Sequence, residues 1–407
     1  MKNKSIKRVL ERYPLLAKKQ RGLPDIGRRA DSNSFSKPID IISESFKVYG
    51  NALHKLETKE MKNKPSNSLG GGSPMETKPF PMSIKKIKEC LKLKTLFWYP
   101  LAAGDEEARK EILEYLKKEN FPLDQKNITI DSIIFTVSGS HAFNMILEVI
   151  ARPYDVILMT GPNYGLFAFY PERMNINVEI IDLHEEDKWY INPEKLENKI
   201  ITINKKLKLE YENKLDYVPK VVAFLNENPH NPTGKVLSKK NKEILEKVGS
   251  VCLENGVFVI DDLIYRDLTF DRDNIALPMG TYPDFFSNTI SLFGLSKSYG
   301  LAGIRAGMIV ADPIICRGIR NRIFQTMDAT PIIQAKALAG AYNGTKKRYK
   351  LYNKYFNPIN KEYMYRFQLL KCLVEGIDSI EDSRIKKRII RELKKHVKNK
   401  EERKRSY

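Results

Sequence analysis

No stretch of the sequence approaches the roughly 18 uninterrupted apolar residues that a membrane-spanning helix needs. The first residues carry Lys2, Lys4, Lys7 and Arg8 with no apolar segment of signal-peptide type behind them. A secreted or membrane-spanning protein is therefore not expected. Cysteine is scarce: Cys90, Cys252, Cys316 and Cys372 stand far apart without a CxxC pair, and the 407 residues include only 5 His. This pattern suggests neither a disulfide framework nor a zinc knuckle, so the expected compartment is the reducing cytosol and no metal site is expected. What is present, 42% hydrophobic and 29% charged residues, is the composition of a folded chain able to bury a core.

The formal charge is +20, which raises the question of nucleic acid as a partner. The excess gathers at the ends. Residues 1–64 hold 16 Lys and Arg against 7 acids, and residues 384–407 hold 12 against 3, so the sequence between them is nearly neutral. Solvated basic tails on an ordinary globular body are expected, not a nucleic-acid or lipid interface. Within the first tail Ile6, Val9, Leu10, Tyr13 and Leu16 recur at helical spacing. The spacing predicts a short amphipathic helix that docks on its own fold or on a partner subunit.

Between Pro65 and Met82 the run SNSLGGGSPMETKPFP is turn chemistry and marks a boundary. Beyond it, short β-rich runs alternate with helical patterns at 133–137, 156–160, 178–183, 221–226, 257–262, 289–294 and 306–312. Most are continuously apolar, as strands buried on both faces are. The predicted fold is α/β: three αβα layers around a mostly parallel sheet of about seven strands, with a small, incomplete C-terminal part. Three segments are expected: a basic extension (1–64), a large domain (65–345) and a reduced C-terminal region with its basic tail (346–407).

Four clusters fall at strand ends, where open α/β sheets place their ligands. Ser138-Gly139-Ser140 lies between a strand and a helix, an arrangement that turns backbone N–H groups toward an anion. Pro162-Asn163-Tyr164 offers an aromatic ring that could lie against a flat heterocycle. The run Asn226-Glu227-Asn228-Pro229-His230-Asn231-Pro232-Thr233-Gly234 is a rigid polar loop, and the next strand delivers Asp262 with Tyr265 three residues on. The fourth cluster runs from Gly294 to Gly307 and holds Ser296, Lys297 and Arg305. A lysine among small residues with an arginine eight positions later suits an aldehyde cofactor with a phosphate arm: an amine for the imine and a planar fork for the phosphate.

Taken in this order and spacing, Asn-Pro-His-Asn-Pro-Thr-Gly, Asp-x-x-Tyr, and Ser-Lys followed by Gly-x-Arg-x-Gly resemble the fold-type I pyridoxal-phosphate enzymes of the class I/II aminotransferase family, from about Leu69 to about Gly376. The resemblance implies pyridoxal 5′-phosphate as cofactor and amino acids and 2-oxo acids as substrates. It places Lys297 at the lysine that forms the internal aldimine and shuttles a proton. Asp262 matches the carboxylate that pairs with the ring nitrogen. Tyr265 and Asn231 match the groups on the phenolic oxygen, Gly139, Ser140, Ser296 and Arg305 the phosphate contacts, and Tyr164 the ring stacked on the cofactor. Tyr99, in Tyr-Pro-Leu-Ala-Ala-Gly, matches a tyrosine that reaches the phosphate of a neighbouring subunit, which implies a homodimer.

Two departures stand out. Tyr154 occupies the place of a usual glycine in the Pro-x-Asp turn at 153–155. The C-terminal part is divergent and shortened: Arg384, Arg388 and Arg391 lie in a basic, helix-like tail without the pattern that flanks the family's substrate-carboxylate arginine. Aminotransferase activity is the expectation. The alternatives are lyase, cyclase or decarboxylase chemistry on the same cofactor, or a non-catalytic protein that binds through its basic tails.

Overall fold

The structure is a computed structural model that describes residues 78–405 except 127, with side chains placed except at 272 and beyond 395. The basic extension, its helix-spaced apolar positions and most of the 65–82 boundary lie outside these residues. The described residues fall in one compact unit.

Seven strands form one sheet: β1 Ile133–Thr136, β2 Val156–Gly161, β3 Asn177–Asp182, β4 Val221–Glu227, β5 Phe258–Asp262, β6 Thr289–Gly294 and β7 Gly307–Val310, in the order β1-β7-β6-β5-β4-β2-β3. Each coincides with one of the seven apolar runs. Strands β2 to β6 pair in parallel, whereas β7 runs antiparallel to both β6 and β1. The apolar runs are continuous because alternate residues feed two different cores. Along β4, Phe224 packs on one face with Leu196, Ile200 and Leu245, while Leu225 packs on the other with Phe143, Ile146 and Ile319. A side chain as fully buried as that of Phe224 contributes about 1.5–3 kcal/mol.

In chain order the helices that build the layers are α1 (Pro81–Cys90), α2 (Glu106–Lys118), α3 (Gly139–Ile150), α4 (Leu166–Glu172), α5 (Pro193–Tyr211), α6 (Lys242–Glu254), α7 (Pro313–Met327) and α8 (Ile332–Ala341). Helices α3, α4 and α7 cover one face, and α5 and α6 cover the other beside a core shared with α1, α2 and α8. Their starts are chemical. Asp105, Ser138, Asn192 and Asp312 each accept a backbone N–H in the first turn of α2, α3, α5 and α7. Ser238 caps the 3₁₀ turn Lys239–Asn241 that leads into α6. Helix α8 is apolar nearly all round and buried from Gln334 to its end, and its one cation, Lys336, is held by Asp105 at 3.0 Å and Glu107 at 2.5 Å.

The C-terminal region is helical: α9 (Lys346–Glu375) and α10 (Ser383–Arg405), joined through a small cluster of Tyr365, Cys372, Ile380 and Ile389. No helix among the described residues is long and apolar enough to cross a membrane. The four cysteines are buried free thiols.

Candidate active site

The parallel strands β4, β5 and β6 end side by side, and their C-terminal loops open on a cleft of about 150 Å³ that is continuous with solvent. Of the residues singled out in the sequence, Gly139, Ser140, Tyr164, Asn231, Asp262, Tyr265, Ser296, Lys297 and Arg305 all line it. Tyr99 does not. Its side chain is 92% exposed, on a stretch where Phe97, Trp98 and Leu101 are exposed as well.

One end of the cleft is built for an anion. Strand β1 stops at Thr136, and Ser138, with φ 151°, turns the chain into α3 while its Oγ accepts the His141 N–H at 3.2 Å. The remaining N–H groups of the first turn have no intrahelical acceptor, so a phosphate there would meet both the helix dipole and free donors. Gly307 permits the close approach of β7, because a Cβ there would stand 2.8 Å from the carbonyl carbon of Ser138. Arg305 adds a guanidinium from a left-handed residue (φ 56°), steadied by its bond from Nη1 to the Ala302 carbonyl at 3.1 Å.

The middle of the cleft holds the titratable groups. Asp262 ends β5 and accepts the Ile264 N–H at 3.0 Å. Burial and then the nearby Asp261 push its carboxyl up to about 7, against the pull of that N–H and of Lys297. Its neighbour Asp261 points to the opposite face, as strand alternation requires, and is satisfied there by Asn226 at 2.8 Å and the Met279 N–H at 2.9 Å. Lys297 follows β6 and lies 5.9 Å from the centre of the Tyr265 ring. Burial, followed by the charge of Arg305, lowers its amine below the ordinary lysine value. Ser298 Oγ bonds the Ile264 carbonyl at 3.1 Å and so ties the lysine loop to the Asp262 strand.

The Asn228–Gly234 loop forms the third wall. Asn228 bonds both the N–H and the carbonyl of Leu237, and His230 bridges Thr160 at 2.9 Å and Thr233 at 2.8 Å. These anchors fix Asn231 at the cleft. Burial lowers His230 to about 4, so it is neutral in this role.

These residues fit pyridoxal 5′-phosphate on observations of the site itself: a buried carboxyl with a raised pKa, an amine softened by burial, and an anion cradle backed by Arg305. The sequence singled out Ser138 only as part of the anion-facing Ser138-Gly139-Ser140 cluster and gave no role to Phe167, Glu227 or Ile264, which also line the cleft. Glu227 stood inside the quoted loop motif; its signal was the pairing of β4 with β5, which sets it opposite Asp262.

Arg384, Arg388 and Arg391 lie on α10 and do not line the cleft. Arg388 stacks 3.5 Å over the Tyr365 ring and pairs with Glu392 at 3.3 Å. Arg305 is the one guanidinium among the described residues that lines the cleft. The departure at Tyr154 has a visible local effect: the residue takes φ 69°, the conformation a glycine would favour, and its ring stacks on Tyr211 at 5.5 Å.

Residues 68–382 match the family described as aminotransferase class I and II. Tyrosine aminotransferase of Bos taurus is 26% identical over 277 residues, which cover 67% of this chain and 56% of the relative. Aspartate aminotransferase of Bacillus subtilis (strain 168) is 26% identical over 252 residues, 60% of this chain and 56% of the relative. The chain thus spans a little over half the length of these curated relatives. Among solved structures, an aromatic aminotransferase from Pyrococcus horikoshii OT3 superposes with a TM-score of 0.61 at 25% identity, over 75% of this chain and 74% of that one. A Thermus thermophilus aspartate aminotransferase double mutant shares the fold with a TM-score of 0.64 at 19% identity, over 81% of this chain and 77% of that one. Because the family match spans well over half of its length, the chain belongs to the class I and II aminotransferases.

Proposed function

We propose that this protein is a pyridoxal-phosphate-dependent aminotransferase that moves an amino group between an amino acid and a 2-oxo acid. The observation that carries the reading is the convergence of Lys297, Asp262 and the Arg305-backed anion cradle on one cleft. Gly139, Ser140, Ser296 and Arg305 would hold the phosphate, Asp262 the ring nitrogen, Asn231 and Tyr265 the phenolic oxygen, and Tyr164 one face of the ring. When bound, the cofactor supplies an aldehyde and an electron sink for the bond breaking at the substrate α-carbon. The lysine amine at 297 attaches the cofactor and, once released, carries the proton to and from the substrate α-carbon. Its lowered pKa favours the neutral amine that both tasks need. The Asp262 carboxylate keeps a proton on the ring nitrogen, and Asn231, fixed by its anchored loop, holds its amide toward the ring.

The active unit is proposed to be a homodimer. The exposed stretch Phe97, Trp98, Tyr99 and Leu101 supports this, since it would be covered by a second copy to whose cleft Tyr99 would reach. Residues 65–345 would form the cofactor-binding domain, 346–407 a reduced C-terminal region with a basic tail, and the cytoplasm would be the place of action. The test is to incubate the cofactor-loaded protein with a panel of amino acids and to follow the cofactor's visible band together with the products. Loss of the band with stoichiometric 2-oxo acid is expected. Ammonia or carbon dioxide without an acceptor would replace this reading by lyase or decarboxylase chemistry.

A further inference from the structure

A second carboxyl in the cleft is not used by the chemistry above. Glu227 is the last residue of β4, paired in register with Asp262 at the end of β5, and 7% exposed. Its Oε2 accepts the Asn231 N–H at 3.1 Å, while its buried Oε1 makes no hydrogen bond of normal geometry. We infer that Glu227 is a positioning residue that keeps its proton at neutral pH, so that the negative charge of the carboxyl pair rests on Asp262, and that it holds Asn231 in place. The inference rests on the reading of the cleft as a cofactor site.

The physical reason is that two adjacent buried carboxyls resist carrying charge together. Glu227 faces Asp262 from β5, Tyr164 from the loop after β2 and Tyr265 from the loop after β5, with Lys297 and Arg305 also lining the cleft and neutral His230 on its own loop. Burial first, and Asp262 next, push the Glu227 carboxyl up to about 8, which the N–H groups of Asn231 and Tyr164 only partly offset. Geometry places the proton on Glu227, whose buried Oε1 meets no donor, and the charge on Asp262, which accepts the Ile264 N–H and feels the charge of Lys297. A cofactor with an anionic phosphate and phenolate, which also displaces water, would raise the Glu227 pKa further. Affinity for the cofactor would then fall as rising pH strips this proton into solvent.

The experiment measures the affinity of pyridoxamine 5′-phosphate, which needs no covalent attachment, by calorimetry from pH 6.5 to 9.5 for the wild type, Glu227→Gln and Glu227→Ala. Glutamine imitates the protonated acid, so its affinity should match the wild type within about twofold at pH 6.5 and exceed it by about tenfold at pH 9, one unit above the acid's titration. Alanine should bind about tenfold more weakly than glutamine across the range, because Asn231 loses an acceptor that glutamine still supplies, so its deficit against the wild type is about tenfold at pH 6.5 and closes by pH 9. A glutamine-to-wild-type ratio that stays flat across the range overturns the proposal. So does a tenfold deficit of glutamine at pH 6.5, which would mark an ionised Glu227. If neither pyridoxal nor pyridoxamine phosphate binds the wild type, the cofactor reading itself falls. Binding with a flat ratio removes the Glu227 assignment alone.

Discussion

Tyr265 and Arg266 are consecutive, yet they belong to two buried polar clusters of opposite character. Arg266 bonds Glu119 at 2.5 Å, Tyr115 at 2.9 Å and the Ala276 carbonyl at 3.2 Å, and Tyr352 bonds Asp267 at 2.6 Å. Arg348 reaches Tyr299 at 3.0 Å and the Ala341 carbonyl at 2.8 Å. Burial would raise the Glu119 carboxyl, but the charge of Arg266 and its bond bring it below the ordinary value. In the cleft the same burial has the opposite result: Asp262 and Glu227 rise to about 7 and about 8 and Lys297 falls. Burial alone does not separate a structural charge from a chemical one; the sign of the neighbour that shares the burial does. The rear cluster sets guanidinium against carboxylate and ties Arg266, just past the Asp262 strand, to α2, whereas the cleft brings two carboxyls side by side.

Variants on the two sides should therefore fail in different ways. The largest effect is expected for Lys297→Ala, which removes the visible band of the attached cofactor altogether while leaving the circular dichroism of the fold unchanged; a band that survives would reassign the lysine. Arg266→Ala comes next, costing about 3–5 kcal/mol in denaturant unfolding because it takes the guanidinium away from the buried Asp267 and the half-buried Glu119. Asp262→Asn should lower turnover by about 10²–10³-fold, yet make the cofactor-free protein more stable, and a destabilisation as large as that of Arg266→Ala would erase the distinction between the clusters.

A pH series sharpens the same point. The native carboxyls of Glu227, Asp262 and Asp261, at about 8, 7 and 6, lie above their unfolded values, so the native state binds more protons between about pH 4 and 8. Stability of the cofactor-free protein should thus fall as pH rises through that window, by about 2–5 °C in Tm between pH 5.5 and 8, and Asp262→Asn combined with Glu227→Gln should flatten the slope. Glu119, shifted the other way, contributes stability that is lost only as pH drops through its own lowered titration. The smallest effect is expected at Tyr154→Gly, within about 1 kcal/mol in the same unfolding assay, since relief of the positive φ is offset by loss of the Tyr211 stack and by a more flexible unfolded chain.

Much of this was legible in the sequence for identifiable reasons. All seven strands were, six because they are buried on both faces and so read as largely apolar runs, and the mostly exposed edge strand β3 through its β-branched residues Val178, Ile180 and Ile181. Lys297, Asp262, Asn231 and Arg305 were legible because their order along the chain follows the order of strand ends around the cleft. The antiparallel direction of β7 was not, since an apolar run carries no arrow. Glu227 was passed over because its meaning depends on which residue of β5 stands beside it, and register is a property of the sheet and not of the run Asn-Glu-Asn. The rear cluster escaped for a similar reason: Glu119, Arg266 and Arg348 are distant in sequence and meet only after α2 and α9 have packed.

His230 gives the cleft one last property. With both ring nitrogens engaged by threonine hydroxyls and a titration near 4, it does not change charge anywhere in the range where the carboxyls do. The wall that carries Asn231 is a chassis indifferent to acidity. When the medium changes, the cleft alters its voltage and keeps its shape.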